Sequence, residues 1–159
     1  MGEGEADARL VMQQAMMDFV PHNKALGLAL LGVTLEPAAV VLRLPWDERL
    51  VGNPLTGVLH GGAITALIDA ACGGAVYARL REPLPIATLD LRIDYLKPGV
   101  PREAVMARAE CFRTTRNVAF VRAVAYQRDE ADLVASAAGT FMLGTAGGAV
   151  AAQGAGGPR

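Results

Sequence analysis

The sequence GGAITALIDAACGGAVYARL, residues 61–80, decides the fold of this chain. It is apolar almost all round, whereas a helix on a protein surface is apolar along one stripe. The stretch therefore predicts a long helix that other elements enclose. Gly73 and Gly74 lie inside it, where each glycine costs about 0.5–1 kcal/mol relative to alanine. We expect another backbone to approach the helix closely at these two positions.

The residues before this helix predict a short helix and two strands. Residues 5–20 carry leucine and methionine at helical spacings and end before Pro21, which is typical of a short N-terminal helix. Residues 26–35 and 38–44 are apolar runs separated by a Glu-Pro pair, and they indicate a hairpin or two adjoining strands. Residues 45–58 contain glycine and proline and predict a loop.

Four strands are predicted after the long helix. Apolar and polar side chains alternate between Thr88 and Tyr95, within the first predicted strand at residues 86–96. Three further strands are predicted at residues 104–113, 118–128 and 133–143. Because the connections are short, we expect these four strands to form an antiparallel meander.

These elements define an α+β domain in which a single antiparallel sheet must curl round one long central helix. That arrangement is the hot-dog fold, here with a short N-terminal helix. We expect an N-terminal helical segment over residues 1–24 and the domain itself over 25–143. The Gly/Ala-rich residues 144–159 have little to bury and are expected to form a flexible tail.

Composition excludes several classes of protein. The chain has 159 residues, 52% of them hydrophobic, and a formal net charge of -1, which describes one soluble globular domain without an affinity for nucleic acid. Its two cysteines lie in apolar stretches, as expected in a reducing compartment, so we predict a cytoplasmic location. The early apolar run 25–35 is too short to span a bilayer, and the acidic first residues argue against a signal peptide.

Several catalytic chemistries also lack the residues they need. The one serine, Ser136, lies in a predicted strand, so a serine triad is not expected. Two histidines and two cysteines without metal-ligand spacing provide no zinc site, and no glycine-rich nucleotide loop is present. We therefore expect no metal and no cofactor.

Asp69 is the only carboxylate between Glu48 and Glu82, and it lies inside the apolar helix. A buried carboxylate is costly, so we expect Asp69 either to be hydrogen-bonded for structure or to take part in a reaction. Gly61 and Gly62 begin the same helix. Their backbone N–H groups have no partner within the helix, so they form a site for an oxyanion, or the glycines only permit a turn.

Helix geometry then predicts a dimer. Eight residues of helix at about 1.5 Å each separate Asp69 from Gly61 by roughly 12 Å in one chain. A reacting carbonyl must lie within about 3–3.5 Å of its attacking group while it touches the oxyanion donors. One subunit cannot use both residues, so the active unit should be a two-fold dimer with paired helices and two equivalent sites.

Other polar residues have both a functional and a structural interpretation. His60 could orient the loop, bind a substrate oxygen or act as a base, or it is structural. Asn53 could donate to a carbonyl, or it belongs to a turn with Pro54. Thr88 could position water, although threonine is common in strands. Arg113, Arg116 and Asn117 either contact phosphates or are simply solvated at a turn.

The sequence NPLTGVLHGGAITALID at residues 53–69, followed by TLDLRIDYLKP at 88–98, closely resembles hot-dog acyl-CoA thioesterases of the phenylacetic-acid-degradation (PaaI) type. The resemblance covers about residues 25–143. Its most specific part is His60 with two glycines and Asp69 nine positions later. The strand that ends in Tyr-Leu-Lys-Pro is a second landmark.

The resemblance implies hydrolysis of an acyl-CoA thioester to free acid and CoA, without a metal or prosthetic group. Asp69 would be the nucleophile or general base, and the Gly61 N–H would polarise the thioester carbonyl. His60 and Asn53 would support that oxyanion site, and Thr88 would position water. The implied assembly is a homodimer that pairs into a dimer of dimers, and the implied substrate contacts are Gly62, Arg113, Arg116 and Asn117.

Two other functions stay open at this point. One is a hot-dog dehydratase that acts on 3-hydroxyacyl thioesters, which usually pairs a histidine with a carboxylate in a different motif. The other is a non-catalytic acyl-CoA binding module, which would keep the pocket and would not need Asp69. The sequence does not determine the acyl group.

Overall fold

The computed structural model describes residues 3–82 and 84–145. Most of the predicted Gly/Ala-rich tail, residues 146–159, lies outside this range. Within the described residues the α-helices are α1 (Glu3–Met12), α2 (Pro21–Ala25) and α3 (Gly61–Leu80), and a short 3₁₀-helix lies at Glu48–Leu50. The strands are β1 (Ala29–Leu35), β2 (Ala38–Leu44), β3 (Val51–Asn53), β4 (Val58–Leu59), β5 (Ile86–Tyr95), β6 (Val105–Thr114), β7 (Val118–Tyr126) and β8 (Leu133–Leu143).

Six strands form one antiparallel sheet in the order β1-β2-β6-β7-β8-β5, and β3 pairs with β4 in a small separate hairpin. The sheet wraps around α3, so the predicted α+β hot-dog fold is confirmed. The predicted meander holds for β6, β7 and β8 but is wrong for β5, which pairs with β8 instead of β6. The connection over residues 96–104 is long enough to carry the chain past two strands that lie about 4.8 Å apart.

The core lies between α3 and the inner face of the sheet. Leu67, Ile68 and Val76 of α3 are fully buried there. Many sheet positions that face the helix hold alanine, which lets helix and sheet pack closely. These buried alanines are Ala107, Ala109, Ala119, Ala123, Ala125, Ala135 and Ala137. The length and hydropathy of α3 would suffice to cross a membrane, but its apolar side chains are explained by this packing.

Gly73 and Gly74 are covered by side chains, so the expected approach of another backbone is wrong. A Cβ on Gly74 would lie 3.1 Å from Cε of Met16 and 3.3 Å from a methyl group of Val40. A Cβ on Gly73 would meet Phe141 at 3.7 Å. The glycines therefore leave space for large side chains that pack onto the helix.

The N-terminal segment is less regular than the single helix predicted for residues 5–20. After α1 the chain forms a π-helical segment at Gln13–Asp18, and α2 follows. The buried side chain of Asn23 donates a hydrogen bond to the carbonyl of Met16 at 3.0 Å and so satisfies a backbone group of this irregular segment. The irregular helix turns Met16 and Met17 into the core.

Candidate active site

The first turn of α3 is held by a side-chain cap. His60 is the N-cap residue, and its Nδ1 accepts a hydrogen bond from the N–H of Gly62 at 2.8 Å. The ring therefore satisfies one of the donors that a helix leaves free at its start. Of the two candidate oxyanion donors, Gly62 is bonded to His60. The N–H of Gly61 has no hydrogen-bond partner within residues 3–82 and 84–145.

Each glycine of this turn is required by a specific neighbour. A Cβ on Gly62 would lie 2.9 Å from Nδ1 of His60, so a larger residue would displace the capping ring. A Cβ on Gly61 would lie 3.3 Å from the hydroxyl oxygen of Tyr95. The pair is therefore more than a permissive turn, because both residues leave room for side chains that contact the helix start.

Tyr95 is the site residue that sequence reasoning missed. It lies at the end of β5, and its hydroxyl donates a hydrogen bond to the carbonyl of Gly61 at 2.6 Å. The same oxygen lies 3.0 Å from Oγ1 of Thr65, one turn further along α3. In the sequence, Tyr95 stood out only as a family landmark. The available signal was an aromatic residue with a polar tip at the end of an alternating strand.

The β3–β4 hairpin packs on His60, and Asn53 is the last residue of β3. Gly52 packs directly on His60, since a Cβ on Gly52 would lie 2.9 Å from the His60 Cα. The N–H of His60 in turn donates to the carbonyl of Leu50 at 2.8 Å. The side-chain oxygen of Asn53 accepts a hydrogen bond from the N–H of Leu55 at 3.0 Å. This bond is the local turn interaction expected of an Asn-Pro pair, and the Asn53 amide group lies one residue from the strand position that touches His60.

Asp69 and Thr88 form the second part of the site. The hydroxyl of Thr88 on β5 donates to Oδ1 of Asp69 at 2.8 Å. We expected a buried carboxylate, but Asp69 is partly exposed in this chain and Thr88 is exposed. The reason is that this side of α3 faces the edge strand of the sheet. The carboxylate is therefore oriented by a hydroxyl and remains accessible.

Strand β5 connects these two groups of residues. Its last residue, Tyr95, contacts Gly61, and Thr88 near its beginning contacts Asp69. Thr88 and Tyr95 lie near opposite ends of this strand, and the residues of α3 that they contact, Asp69 and Gly61, are eight residues apart. A single chain therefore holds the oxyanion donor and the carboxylate at two separate places.

A cleft of about 360 Å³ lies beside the helix start and includes Gly61 and Tyr95 in its wall. The rest of the wall is mainly apolar and comes from the hairpin, α3, the segment after β5 and β8. Its apolar residues are Val58, Leu59, Ile64, Leu96, Pro98 and Val134. An apolar group bound in this cleft would lie beside Gly61.

The candidate phosphate contacts lie elsewhere. Arg113, Arg116 and Asn117 are exposed at the turn between β6 and β7. The turn lies at the same end of the sheet as Thr88, because Thr88 pairs with Phe141, which pairs with Ala119. These three residues therefore lie at the Thr88 end of the sheet, and strand β8 separates β7 from β5, the strand that contacts Asp69.

The cysteines are not candidates for nucleophilic chemistry. Both are free and buried, as expected from the sequence. Burial, and then the nearby negative charge of Asp69, raise the pKa of the Cys72 thiol to about 12. Burial also raises the pKa of Cys111. In the part of the chain that the structure describes, no three His, Cys, Asp or Glu side chains form a cluster suited to a metal ion.

A sheet wrapped round one helix, with a capped glycine pair at the helix start and a carboxylate on the same helix, defines a hot-dog domain with a candidate thioester site. The family model described as "Thioesterase superfamily" matches residues 56–134. The medium/long-chain acyl-CoA thioesterase YigI of Escherichia coli K12 is 34% identical over 138 residues, which cover 79% of this chain and 86% of that protein. The chain belongs to the thioesterase superfamily.

Solved structures agree with this assignment. A protein of Pseudomonas aeruginosa is 39% identical and superposes with a TM-score of 0.74, covering 87% of this chain and 97% of that one. A mutant of the phenylacetic acid degradation protein PaaI from Thermus thermophilus is 30% identical, with a TM-score of 0.65, covering 77% of this chain and 98% of that one. The resemblance to PaaI-type thioesterases is confirmed.

Proposed function

We propose that this protein hydrolyses acyl-CoA thioesters to the free acid and coenzyme A, at two equivalent sites formed between two copies of the chain. The observation that carries the proposal is the separation of Gly61 from Asp69. The Gly61 N–H has no hydrogen-bond partner in the described residues, and the Asp69 carboxylate is partly exposed and oriented by Thr88. One chain nevertheless holds these two groups roughly 12 Å apart along the helix. A second copy of the helix would supply the missing half of each site.

Strand β5 supports a specific mode of dimerisation. It is an edge strand that pairs with β8 on one side, and it exposes Leu89 and Tyr95. Long edge strands with exposed apolar side chains tend to pair with another chain. Antiparallel pairing of two β5 strands centred near Leu91 would set Asp90 opposite the partner's Arg92, a favourable charge pair.

This pairing would also complete the site. In an antiparallel pair, the end of one strand lies beside the beginning of the other. The end of β5 is the part that contacts Gly61, and its beginning is the part that contacts Asp69. The Gly61 N–H of one chain would thus meet the partner's Asp69. The proposed dimer of dimers would then be an assembly of two such units.

The chemistry follows from these roles. The thioester carbonyl accepts a hydrogen bond from the Gly61 N–H, which stabilises the oxyanion as the carbonyl carbon becomes tetrahedral. Asp69 either attacks that carbon or takes a proton from an attacking water. In both cases the tetrahedral intermediate collapses with breakage of the C–S bond, and coenzyme A leaves as its thiolate. When water attacks, the free acid is formed directly; when Asp69 attacks, the acyl group stays on Asp69 as an anhydride, which water then hydrolyses. Thr88 holds the carboxylate, and His60 and Asn53 support the helix start.

The acyl group is proposed from the relative and from the cleft. YigI is named a medium/long-chain acyl-CoA thioesterase. The cleft beside Gly61 has a mainly apolar wall, with Lys97 as the charged residue among those that line it, so most of the wall suits an alkyl chain. We therefore expect medium- and long-chain acyl-CoA to be better substrates than acetyl-CoA. The proposed substrate contacts, Gly62, Arg113, Arg116 and Asn117, would bind the coenzyme A portion of the substrate.

The test is a panel of acyl-CoA thioesters from acetyl to palmitoyl, with phenylacetyl-CoA included. Free thiol is measured over time, and binding is measured in parallel by calorimetry. Thiol release supports hydrolysis. Binding without release would mean a binding module, and water loss from a 3-hydroxyacyl-CoA would mean a dehydratase. His60 is engaged in capping Gly62, which speaks against its use as the base of a dehydratase.

A further inference from the structure

The glycine pair that begins α3 needs more than a helix to hold its shape. Two successive glycines have the widest choice of backbone conformations, and the end of a helix lacks the hydrogen bonds that fix its middle. An oxyanion donor is effective only when it is oriented before the reaction begins. Side chains must therefore fix this turn.

The Gly61–Gly62 peptide group is held at both ends. Its carbonyl, on Gly61, accepts a hydrogen bond from the hydroxyl of Tyr95 at 2.6 Å. Its N–H, on Gly62, donates to Nδ1 of His60 at 2.8 Å. Because a peptide group is planar, these two bonds set the orientation of the whole plane.

The neighbouring peptide group is held at one end only. The carbonyl of His60 accepts hydrogen bonds from the N–H groups of Ala63 at 3.0 Å and Ile64 at 3.3 Å. The N–H of that same peptide group is the N–H of Gly61, the proposed oxyanion donor. Its direction therefore depends on the torsions of Gly61, which link it to the plane held by Tyr95 and His60.

Thr65 completes this arrangement. A tyrosine hydroxyl has one proton, and Tyr95 donates it to Gly61. The contact of 3.0 Å between Tyr95 and Thr65 must then be a hydrogen bond donated by Thr65. A chain of hydrogen bonds runs from Thr65 through Tyr95 to the Gly61 carbonyl, and each bond in such a chain polarises the next.

We propose that Tyr95 is a positioning residue that fixes the Gly61–Gly62 peptide group and thereby aims the Gly61 N–H at the thioester carbonyl. This inference rests on the proposed function. It gives the tyrosine of the Tyr-Leu-Lys-Pro landmark a chemical role. It also means that β5 contributes to both halves of the site, through Tyr95 at one end and Thr88 at the other.

The test compares Tyr95→Phe with the control Tyr77→Phe. Tyr77 is half-buried on α3, the helix that Tyr95 contacts, and its hydroxyl makes no hydrogen bond in the described part of the chain. We expect Tyr95→Phe to lower kcat about ten-fold and to change KM less than about two-fold, because the lost interaction orients a transition-state donor. Tyr77→Phe should behave as the wild type.

A binding measurement separates positioning from a structural role. Two unreactive ligands are used: a ketone analogue in which a methylene group replaces the thioester sulfur, and an S-alkyl-CoA that lacks the carbonyl. The wild type should prefer the ketone, because only the ketone can accept from Gly61. Tyr95→Phe should reduce that preference, while the affinity for S-alkyl-CoA stays within about two-fold.

The outcomes are distinct. An unchanged kcat and an unchanged ketone preference in a folded Tyr95→Phe protein would overturn the inference, and so would an equal loss of affinity for both ligands. If the wild type neither hydrolyses acyl-CoA nor prefers the ketone, the proposed function itself fails. If Tyr95→Phe does not fold, Thr65→Val provides the test, since it removes the donor to Tyr95 and should also reduce the ketone preference.

Discussion

The hydroxyl of Thr88 lies 2.8 Å from Oδ1 of Asp69 and joins the edge strand of the sheet to the central helix. An exposed edge and a partly exposed carboxylate thus meet at one point of the molecule. A second chain that pairs along this edge would cover both.

Asp69→Asn should lower kcat for acyl-CoA hydrolysis by at least about 10²-fold, as expected when a nucleophile or general base is lost. Asn keeps the size of the side chain and can still accept from Thr88, so the unfolding temperature and the assembly should not change. Asp7→Asn, an exposed position on α1, is the matched control. Wild-type turnover in a folded Asp69→Asn protein would exclude the mechanism.

Thr88→Val should lower kcat about ten-fold, because the carboxylate loses a hydrogen bond of the charged kind, which is worth roughly 1.5–3 kcal/mol. Thr88→Ser keeps the hydroxyl and should retain activity within about two-fold of the wild type. Thr34→Val on β1 tests the same chemical change at an exposed strand position away from the site. Equal activities of the Val and Ser variants at position 88 would show that the hydroxyl is not used.

Co-expression of Gly61→Pro with Asp69→Asn should regenerate activity that neither homodimer has. Proline removes the N–H donor and crowds Tyr95, which belongs to the same half of the site, and asparagine removes only the carboxylate. A mixed dimer therefore contains one intact site. Two different affinity tags allow the mixed particles to be purified. If such particles hydrolyse no faster than the parent homodimers, Gly61 and Asp69 of different chains do not form one site.

Exhaustive chelation should leave the activity unchanged, since the mechanism needs only the Gly61 amide, a carboxylate and water. The assay is repeated after dialysis against a strong chelator, with and without added zinc. Activity that disappears and returns only with zinc would reveal a metal site that the proposed mechanism does not contain.

Cys72 should resist thiol reagents in the folded protein. Burial and the neighbouring Asp69 raise its pKa to about 12 from an ordinary value of 9.0, so the reactive thiolate is scarce at about pH 8. Labelling should become fast in denaturant. Because the folded-state pKa is raised, this thiol favours the folded state below about pH 9 and destabilises it as the pH rises from about 9 toward 12. Rapid native labelling of Cys72 would contradict its burial.

The sequence was sufficient for the features that depend on local pattern. The continuous apolar character of residues 61–80 identified α3 with its observed bounds, because an enclosed helix has no polar face. The alternation at 86–96 identified β5. It did not identify the partner of β5, since period two says which side chains share a face and nothing about which strand lies alongside. This is why the predicted meander wrongly placed β5 next to β6.

The site was predicted in part for a similar reason. Asp69 stands out in the sequence as a charged residue inside an apolar helix. Gly61 stands out as part of a glycine pair at the helix start, and His60 directly precedes that pair. Tyr95 was missed as a site residue because its contact with Gly61 joins positions 34 residues apart, which only the folded chain brings together. The partial exposure of Asp69 was also missed. The apolar residues around it predict a helix enclosed on all sides, and they do not indicate that one side of α3 lies at the sheet edge.

The alanines on the inner face of the sheet have a consequence for how this protein can change over time. They set the distance between sheet and helix, and any larger side chain at Ala107, Ala109, Ala125 or Ala135 would have to push α3 outward. Since α3 carries both Gly61 and Asp69, such a shift would move the reacting groups themselves. The alanine side chains thus determine how far α3, and with it Gly61 and Asp69, lies from the sheet. Adaptation to new substrates is expected to change the cleft wall and to leave these alanines untouched.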